Sequence, residues 1–412
     1  MISELDVLAM DQADPLASRR AGFALPSDKV YLDGNSLGAL PRATPQRLLE
    51  VLQEEWGEDL ISSWNRHAWI ELPQRVGEKI APLIGAGPGQ VICCDSISVN
   101  LFKLLAAALQ MRPGRQLILS ASDNFPTDLY MAQGLSALLG ESGCRLQQVA
   151  ESSLEDSLDE QVAVLLLSHV NFRSGRILDM QRITAAAHAA GALVIWDLAH
   201  SAGALPVQLD ECDVDFAVGC GYKYLNGGPG APAYVYAAKH HQAPLQQPLS
   251  GWMGHRNPFA FDPHYEPGEG MQQFLCGTPP ILSMIALDAA LNEFSGLTVA
   301  QLRSKSLALG ELFVDLVAQS ELAAMLVLYS PAEASERGSQ LAWSHPQAYG
   351  LCQAWIERGV IADFREPDIL RVGFAPLYTG FADVWVAVES LRAVFAAQEQ
   401  LDPRWQQRPR VT

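Results

Sequence analysis

The usual signs of metal, disulfide and membrane chemistry are missing from this chain. Its seven cysteines (Cys93, Cys94, Cys144, Cys212, Cys220, Cys276 and Cys352) are odd in number and never spaced as CxxC. That excludes a disulfide frame or a zinc ribbon and points to reduced thiols. Nine histidines form no HExxH and no His/Cys spacing suited to a metal, so no metal is expected. No apolar run approaches the length that spans a bilayer. The acidic, mixed start MISELDVLAMDQADPLASRR is unlike a signal or transit peptide, and a soluble, cytoplasmic protein is expected. Positive charge is scarce, with 28 Lys and Arg against 46 Asp and Glu and a net charge of −18. Such a field repels phosphate backbones and anionic lipid, which argues against nucleic-acid and membrane-surface partners. It still admits a small anionic substrate met by particular arginines.

What the chain does have is length and apolar content: 412 residues, 49% hydrophobic, enough for a large domain and a smaller one. From about residue 90, short apolar runs alternate with helical stretches. QVICC, RQLILSAS, VAVLLLSHV, ALVIWD, DFAVGCG and APAYVYA read as strands. SVNLFKLLAAALQM, the stretch 126–139 and DMQRITAAAHAAGA read as helices. Near-continuous apolar strands separated by helices predict an α/β fold with a mostly parallel sheet covered on both faces. Ligands of such sheets sit at the carboxyl ends of the strands. Residues 243–280 break the rhythm with Pro, Gly and aromatics, as an active-site loop region would. Beyond Pro280, long helices, four short apolar runs and a final helix predict a smaller α/β domain. The tail DPRWQQRPRVT is expected to be a loose end.

Lysine is rare enough to weigh one by one: Lys29, Lys79, Lys103, Lys223, Lys239 and Lys305. Lys79 and Lys305 read as solvated surface groups, Lys103 as a side chain snorkelling from an apolar helix, and Lys29 and Lys239 flank strands. Lys223 alone follows a buried-type strand at its carboxyl end. By itself a loop lysine is most often solvated, and Asp197, at the end of the preceding strand, could simply cap a turn. Together they end successive strands of one sheet and can reach one crevice. An amine and a carboxylate facing a shared crevice suit pyridoxal phosphate: the lysine condenses with the aldehyde, and the carboxylate keeps the pyridine nitrogen protonated. Ser96 and Ser98, at a strand-to-helix junction, offer hydroxyls and free N–H groups to a phosphate, though an ordinary serine cap looks the same. The run YLNGGPGAP lacks the GxGxxG of a dinucleotide loop, and its glycines are expected to let backbone pass close to the cofactor.

Five segments in order, YLDGNSLGALP (31–41), NFPTD (124–128), DLAHSAGALP (197–206), GCGYKYLNGGPGAP (219–232) and LRVGFAPLY (370–378), resemble the kynureninase family over almost the whole chain. The resemblance implies a fold type I pyridoxal-phosphate enzyme, homodimeric and cytoplasmic, that hydrolyses L-kynurenine to anthranilate and L-alanine in tryptophan catabolism. It implies a segment 1–50 reaching the small domain and active site, a large cofactor domain over 51–280, and linking helices with a small domain over 281–412. By motif, Lys223 carries the cofactor, Asp197 pairs with the ring nitrogen, and Tyr222 is the acid. Phe125 stacks on the ring, in a stretch with Pro126 and Thr127, while Asp128, Ser168 and His200 line it. Ile97, Ser98, Tyr222, Trp252 and Thr278 help to seat the phosphate or ring, the last two with a contribution from a partner subunit. Arg371, Asn35 and Trp64 are implied for the substrate, Arg371 for its α-carboxylate. Position 98 is Ser where Thr is often found, and the hydroxyl is kept. The pattern at Trp64 and Thr278 points to the unhydroxylated substrate over 3-hydroxykynurenine. A cysteine desulfurase-like lyase or an aminotransferase shares the Asp/Lys pairing and stays open. The lyase needs a reactive cysteine, and Cys352, in the helical GLCQAWIERG, does not look like one.

Overall fold

The computed structural model describes residues 2–406. An N-terminal helix (Glu4–Ala13) leads to a two-residue strand, β1 (Val30–Tyr31). Seven strands then build the central sheet: β2 (Val91–Cys93), β3 (Leu117–Ala121), β4 (Arg145–Val149), β5 (Val162–Ser168), β6 (Leu193–Asp197), β7 (Phe216–Cys220) and β8 (Ala233–Ala237). Their order is β2-β8-β7-β6-β5-β3-β4. All neighbours are parallel except β8, which runs against both β2 and β7.

The apolar runs form strands because both of their faces are covered. Within β6, Val194 and Trp196 pack into one core while Leu193 and Ile195 pack into the other, as a side-chain period of two requires. Apolar periodicity does not reveal β4, since RLQQV is polar and largely exposed. It lies at the sheet edge beside β3, where one partner suffices.

Residues 243–280 contain short 3₁₀ turns but no strand or longer helix. After them, helices Ile281–Ala290 and Val299–Ala318 lead into a second lobe. Its strands are β9 (Val327–Leu328), β10 (Gln340–Ser344), β11 (Val360–Ile361), β12 (Asp363–Arg365) and β13 (Ile369–Gly373), with helices Ala348–Glu357 and Phe381–Ala396. β12, β13, β10 and β9 form an antiparallel sheet, while β11 pairs with β1. Val7, Val30 and Leu32 therefore share the core of this lobe. The next residue, Asp33, bridges to Gly373, bringing YLDGNSLG against LRVGF.

Two expectations for lysines fail here. Lys305 is not solvated: the N-terminal segment covers it, and it pairs with buried Asp14 at 2.7 Å. Lys103 does not snorkel but is fully buried between Asp95 and the Phe274 carbonyl. The tail is docked as far as it is described, with Arg404 2.9 Å from Asp402 and Trp405 Nε1 donating to Glu399; residues 407–412 lie outside the described residues. Among the described residues no helix is long and apolar enough to cross a membrane, and all seven cysteines are free.

Away from the strand ends that matter for chemistry, buried Asp215 staples the start of β7. It accepts from Val194 N (2.8 Å), His188 Nε2 (2.8 Å) and His241 Nε2 (2.6 Å). With His240 and His241 it offers ligand atoms within 4.8 Å of one another, but its oxygens are taken by these bonds. Burial opposes its ionisation, yet the two histidines bring its pKa down to about 2. A carboxyl depressed on folding stabilises above its unfolded pKa and loses that contribution as the pH falls toward the folded one. Asp215→Asn is therefore expected to cost about 2 kcal/mol near pH 5, with the gap closing between about pH 4 and pH 2. Urea midpoints measured across that range check it.

Candidate active site

Three parallel strands deliver their side chains to one edge. Ser168 ends β5 and stands in register beside Asp197, which ends β6. Cys220 ends β7, and the chain turns at once so that Tyr222 and Lys223 face the same space. The turn closes through Asn226 N, which donates to the Lys223 carbonyl at 2.9 Å with Asn226 in the left-handed region (φ 59°). The N-terminal motif seals it from outside, as Gly38 N donates to the Tyr222 carbonyl at 2.8 Å. A Cβ on Gly38 would lie 2.3 Å from the Lys223 carbonyl oxygen, so this contact demands glycine. The glycines of the lysine motif serve packing more than cofactor approach. Gly219 makes room for the Tyr234 ring and Gly221 for Leu287, while Gly228 and Gly230 take positive φ.

The result is a cavity of about 300 Å³. From the expected cofactor set, Ile97, Ser98, Phe125, Thr127, Asp128, Ser168, Asp197, His200, Tyr222 and Lys223 line it; Pro126, Trp252 and Thr278 do not. Ser96 lines it too, and its hydroxyl caps the helix Ile97–Met111 by accepting from Val99 N at 3.3 Å. Pro126 opens the helix Pro126–Leu139, whose first turn carries Thr127 and Asp128 into the site. Val170, Phe172, Ala199, Cys220, Ala231 and Ala233 complete the wall; of these, Val170, Phe172 and Ala233 lie outside all five motif segments.

The electrostatics inside are unusual. Lys223 Nζ lies 2.9 Å from His200 Nε2 and 5.8 Å from the centroid of the Phe125 ring. Burial lowers the Lys223 pKa, partly offset by Cys220 and Asp197. Burial, then the Lys223 charge, holds His200 well below its usual range, so neutral His200 accepts from the amine. Burial raises both Asp197 and Asp128. Asp197 has the Lys223 charge and the Ala199 N–H (2.8 Å) to support its ionised form. Asp128 has burial and then the Asp197 charge against it, and no backbone N–H to support its ionised form. Of the two, Asp128 holds the proton. Ser168 Oγ, His200 Nδ1 and Asn124 Nδ2 lack partners within the chain. Buried polar atoms are rarely left so, and the convergence of those on Asp128, Ser168 and His200 on one cavity fits a polar aromatic ligand.

Over 412 aligned positions the chain is 50% identical to the protein named Kynureninase in Burkholderia pseudomallei (strain 1106a), with 99% of each chain covered. The chain belongs to the kynureninase family. The Kynureninase of Pseudomonas fluorescens is 47% identical over the full length of both chains, and the kynureninase C-terminal domain family matches residues 302–391. A cysteine desulfurase from Thermococcus onnurineus NA1 superposes with a TM-score of 0.77 at 16% identity, covering 92% of this chain and 98% of that one. The cystine C-S lyase C-DES gives 0.76 at 17% identity, over 89% and 97%. The α/β, fold type I architecture expected from the sequence is thus the one found.

The residues expected for the substrate, Arg371, Asn35 and Trp64, do not line the cavity, and nor do Trp252 and Thr278, expected for the cofactor. Trp64 packs edge-on against Trp69 at 6.0 Å. Trp252 is 39% exposed and Thr278 is exposed. Arg371, on β13, is fully buried and forms a two-pronged pair with Asp363, its cross-strand neighbour on β12. Its Nη1 donates to the carbonyl of Phe172 in the cavity wall. Asn35, with its amide oxygen turned to the guanidinium, accepts from Arg371 Nε at 3.0 Å. No motif signalled Asp363. Cys352 is buried with its thiol pKa pushed up, first by burial, which removes it as a desulfurase nucleophile.

A carboxyl raised on folding loses stability as the pH rises above its unfolded value, about 4. In cofactor-free protein Asp128→Asn is therefore expected to stabilise by about 1–3 kcal/mol at pH 7, with no gain below about pH 4. Urea unfolding at both pH values checks the sign.

Proposed function

We propose that this protein hydrolyses L-kynurenine to anthranilate and L-alanine with pyridoxal 5'-phosphate held in the Lys223 cavity. The reading is carried by full-length kynureninase-family membership in a chain whose one cavity-lining lysine faces Asp197 and His200. Bound there, the cofactor supplies an electron sink for the bonds at the substrate's α- and β-carbons.

Lys223 anchors the aldehyde, and its depressed pKa favours the free amine this requires. Asp197, whose ionised form the Lys223 charge and the Ala199 N–H support, would accept from the protonated ring nitrogen. Phe125 offers its ring face, and Asp128, Ser168 and His200 offer the polar atoms that the chain itself leaves unpaired. Ile97 and Ser98 present N–H groups and a hydroxyl to the phosphate at the start of a 15-residue helix. Pro126 and Thr127 open the helix on the facing side.

Lys223, with His200 to accept a hydrogen bond from Nζ, would act as the base that takes the proton from the substrate's Cα and returns one there before L-alanine leaves. Arg371 pairs with the α-carboxylate, and Asn35 keeps the guanidinium in place. Water adds at the γ-carbonyl, and the Cβ–Cγ bond breaks to release anthranilate. Tyr222, whose hydroxyl burial keeps protonated, delivers a proton to the β-carbon.

The active form is a homodimer in the cytoplasm. What supports a second copy is Trp252 and Thr278: motif assigns both to the cofactor, yet neither lines its own chain's cavity. Trp252 sits with exposed Phe259 (63%) and Phe261 (77%) on the 243–280 excursion, apolar surface suited to burial against a partner. Trp64 lies along the substrate's aryl ring in the same assembly.

Lys223→Ala is expected to abolish anthranilate release, read by its fluorescence, together with the absorption band of bound pyridoxal phosphate. An active, yellow variant contradicts the assignment. Arg371→Lys should raise KM for L-kynurenine by about 10–100-fold, the loss of one or two charge-assisted hydrogen bonds. Side-by-side turnover is expected to favour L-kynurenine over 3-hydroxykynurenine, and a higher kcat/KM for the latter contradicts that preference.

A further inference from the structure

Lys103 is the one lysine with no exposed surface, and no step above uses it. It sits on the cavity-side helix Ile97–Met111, less than two turns from its first residue. Its ammonium is held at two points, by Asp95 and by the backbone carbonyl of Phe274. Asp95 is the left-handed residue (φ 50°) between β2 and that helix, and its carbonyl accepts from Ala233 N at 2.9 Å. Directly after it come Ser96, Ile97 and Ser98, all lining the cavity. Phe274 closes the 3₁₀ turn Gly270–Phe274 in the excursion, four residues before Thr278. At Cys276 this segment meets the Trp252 segment so closely that a Cβ on Gly251 would lie 2.3 Å from the Cys276 carbonyl oxygen.

An apolar residue would fill this space at least as stably, because a buried ion pair rarely gains over packed hydrocarbon. What the ammonium adds is direction: it fixes the strained Asp95 turn and the excursion to each other through two polar contacts.

We propose that Lys103 is a positioning residue for the phosphate end of the cofactor, locking the Asp95 turn that aims the Ile97 and Ser98 N–H groups and, through Phe274, the segment that carries Thr278. The role rests on the cofactor reading above. It assigns Lys103 no contact with the cofactor.

The test compares pyridoxal phosphate with pyridoxal, which lacks the phosphate, by titrating cofactor-free protein and following bound-ligand absorbance. In Lys103→Met and in Asp95→Asn, pyridoxal phosphate is expected to bind about tenfold more weakly or worse while pyridoxal stays within about twofold, the scale on which outer-shell partners act on a bound group. The double variant should be no worse than the weaker single one, since both remove the same contact, and Lys103→Arg should recover part of the loss. If Lys103→Met does not fold, Asp95→Asn, on a partly exposed side chain, decides alone. An unchanged ratio of the two affinities overturns the proposal, as does equal weakening of both ligands. Wild-type protein that binds the two ligands equally well overturns the cofactor reading, and the proposal with it.

Discussion

A primary amine buried beside a neutral imidazole and a carboxylate is the arrangement on which the rest of this structure depends. Lys223 cannot be left to water, and its desolvation is what makes the amine reactive. Much of the surrounding chain keeps that amine dry and aimed. Parallel β5, β6 and β7 bring Ser168, Asp197 and the lysine turn to one edge. The segment 31–41 closes over the lysine's own peptide through Gly38. Tyr224, next in the chain, donates to the Ser339 carbonyl at 2.9 Å and ties the turn to the second lobe.

The same site leaves part of its polar inventory unmet. Two buried carboxyls share one region, and of the two it is Asp197 that a backbone N–H supports. Such an arrangement costs stability in the empty protein and is offset when a ligand supplies donors and positive charge. It marks where ligand binding and folding compete for the same groups.

Two of the polar contacts between the lobes meet on one carbonyl. Phe172, in the cavity wall, accepts from Arg371 Nη1 and from Gln340 Nε2 (3.1 Å), both on second-lobe strands. Asp363 orients Arg371 from the neighbouring strand, and Ser36 adds a contact at 3.1 Å. Asp33, brought alongside by its bridge to Gly373, has its pKa raised to about 7 by burial and by Asp363. The guanidinium assigned to the substrate's carboxylate is thus set by residues from three separate parts of the chain.

The strands of the central sheet and the helices between them were legible in the sequence because each answers to a local rule: apolar runs buried on both faces, and a 3.6-residue period between them. The pairing of Lys223 with Asp197 followed, since consecutive parallel strands end on the same edge. Polar edge strand β4 was not legible, because one-sided pairing leaves no hydrophobic trace. Neither were the reversal of β8, the burial of Lys103 and Lys305 by segments remote in sequence, or the grip of Asp363 on Arg371. Local chemistry is written residue by residue, so the sequence by itself determined which amine and which carboxylate face each other. Which charges are neutralised, and by whom, depends on contacts across as many as 363 residues of chain, as between Arg20 and Asp383, and only the tertiary structure decided that.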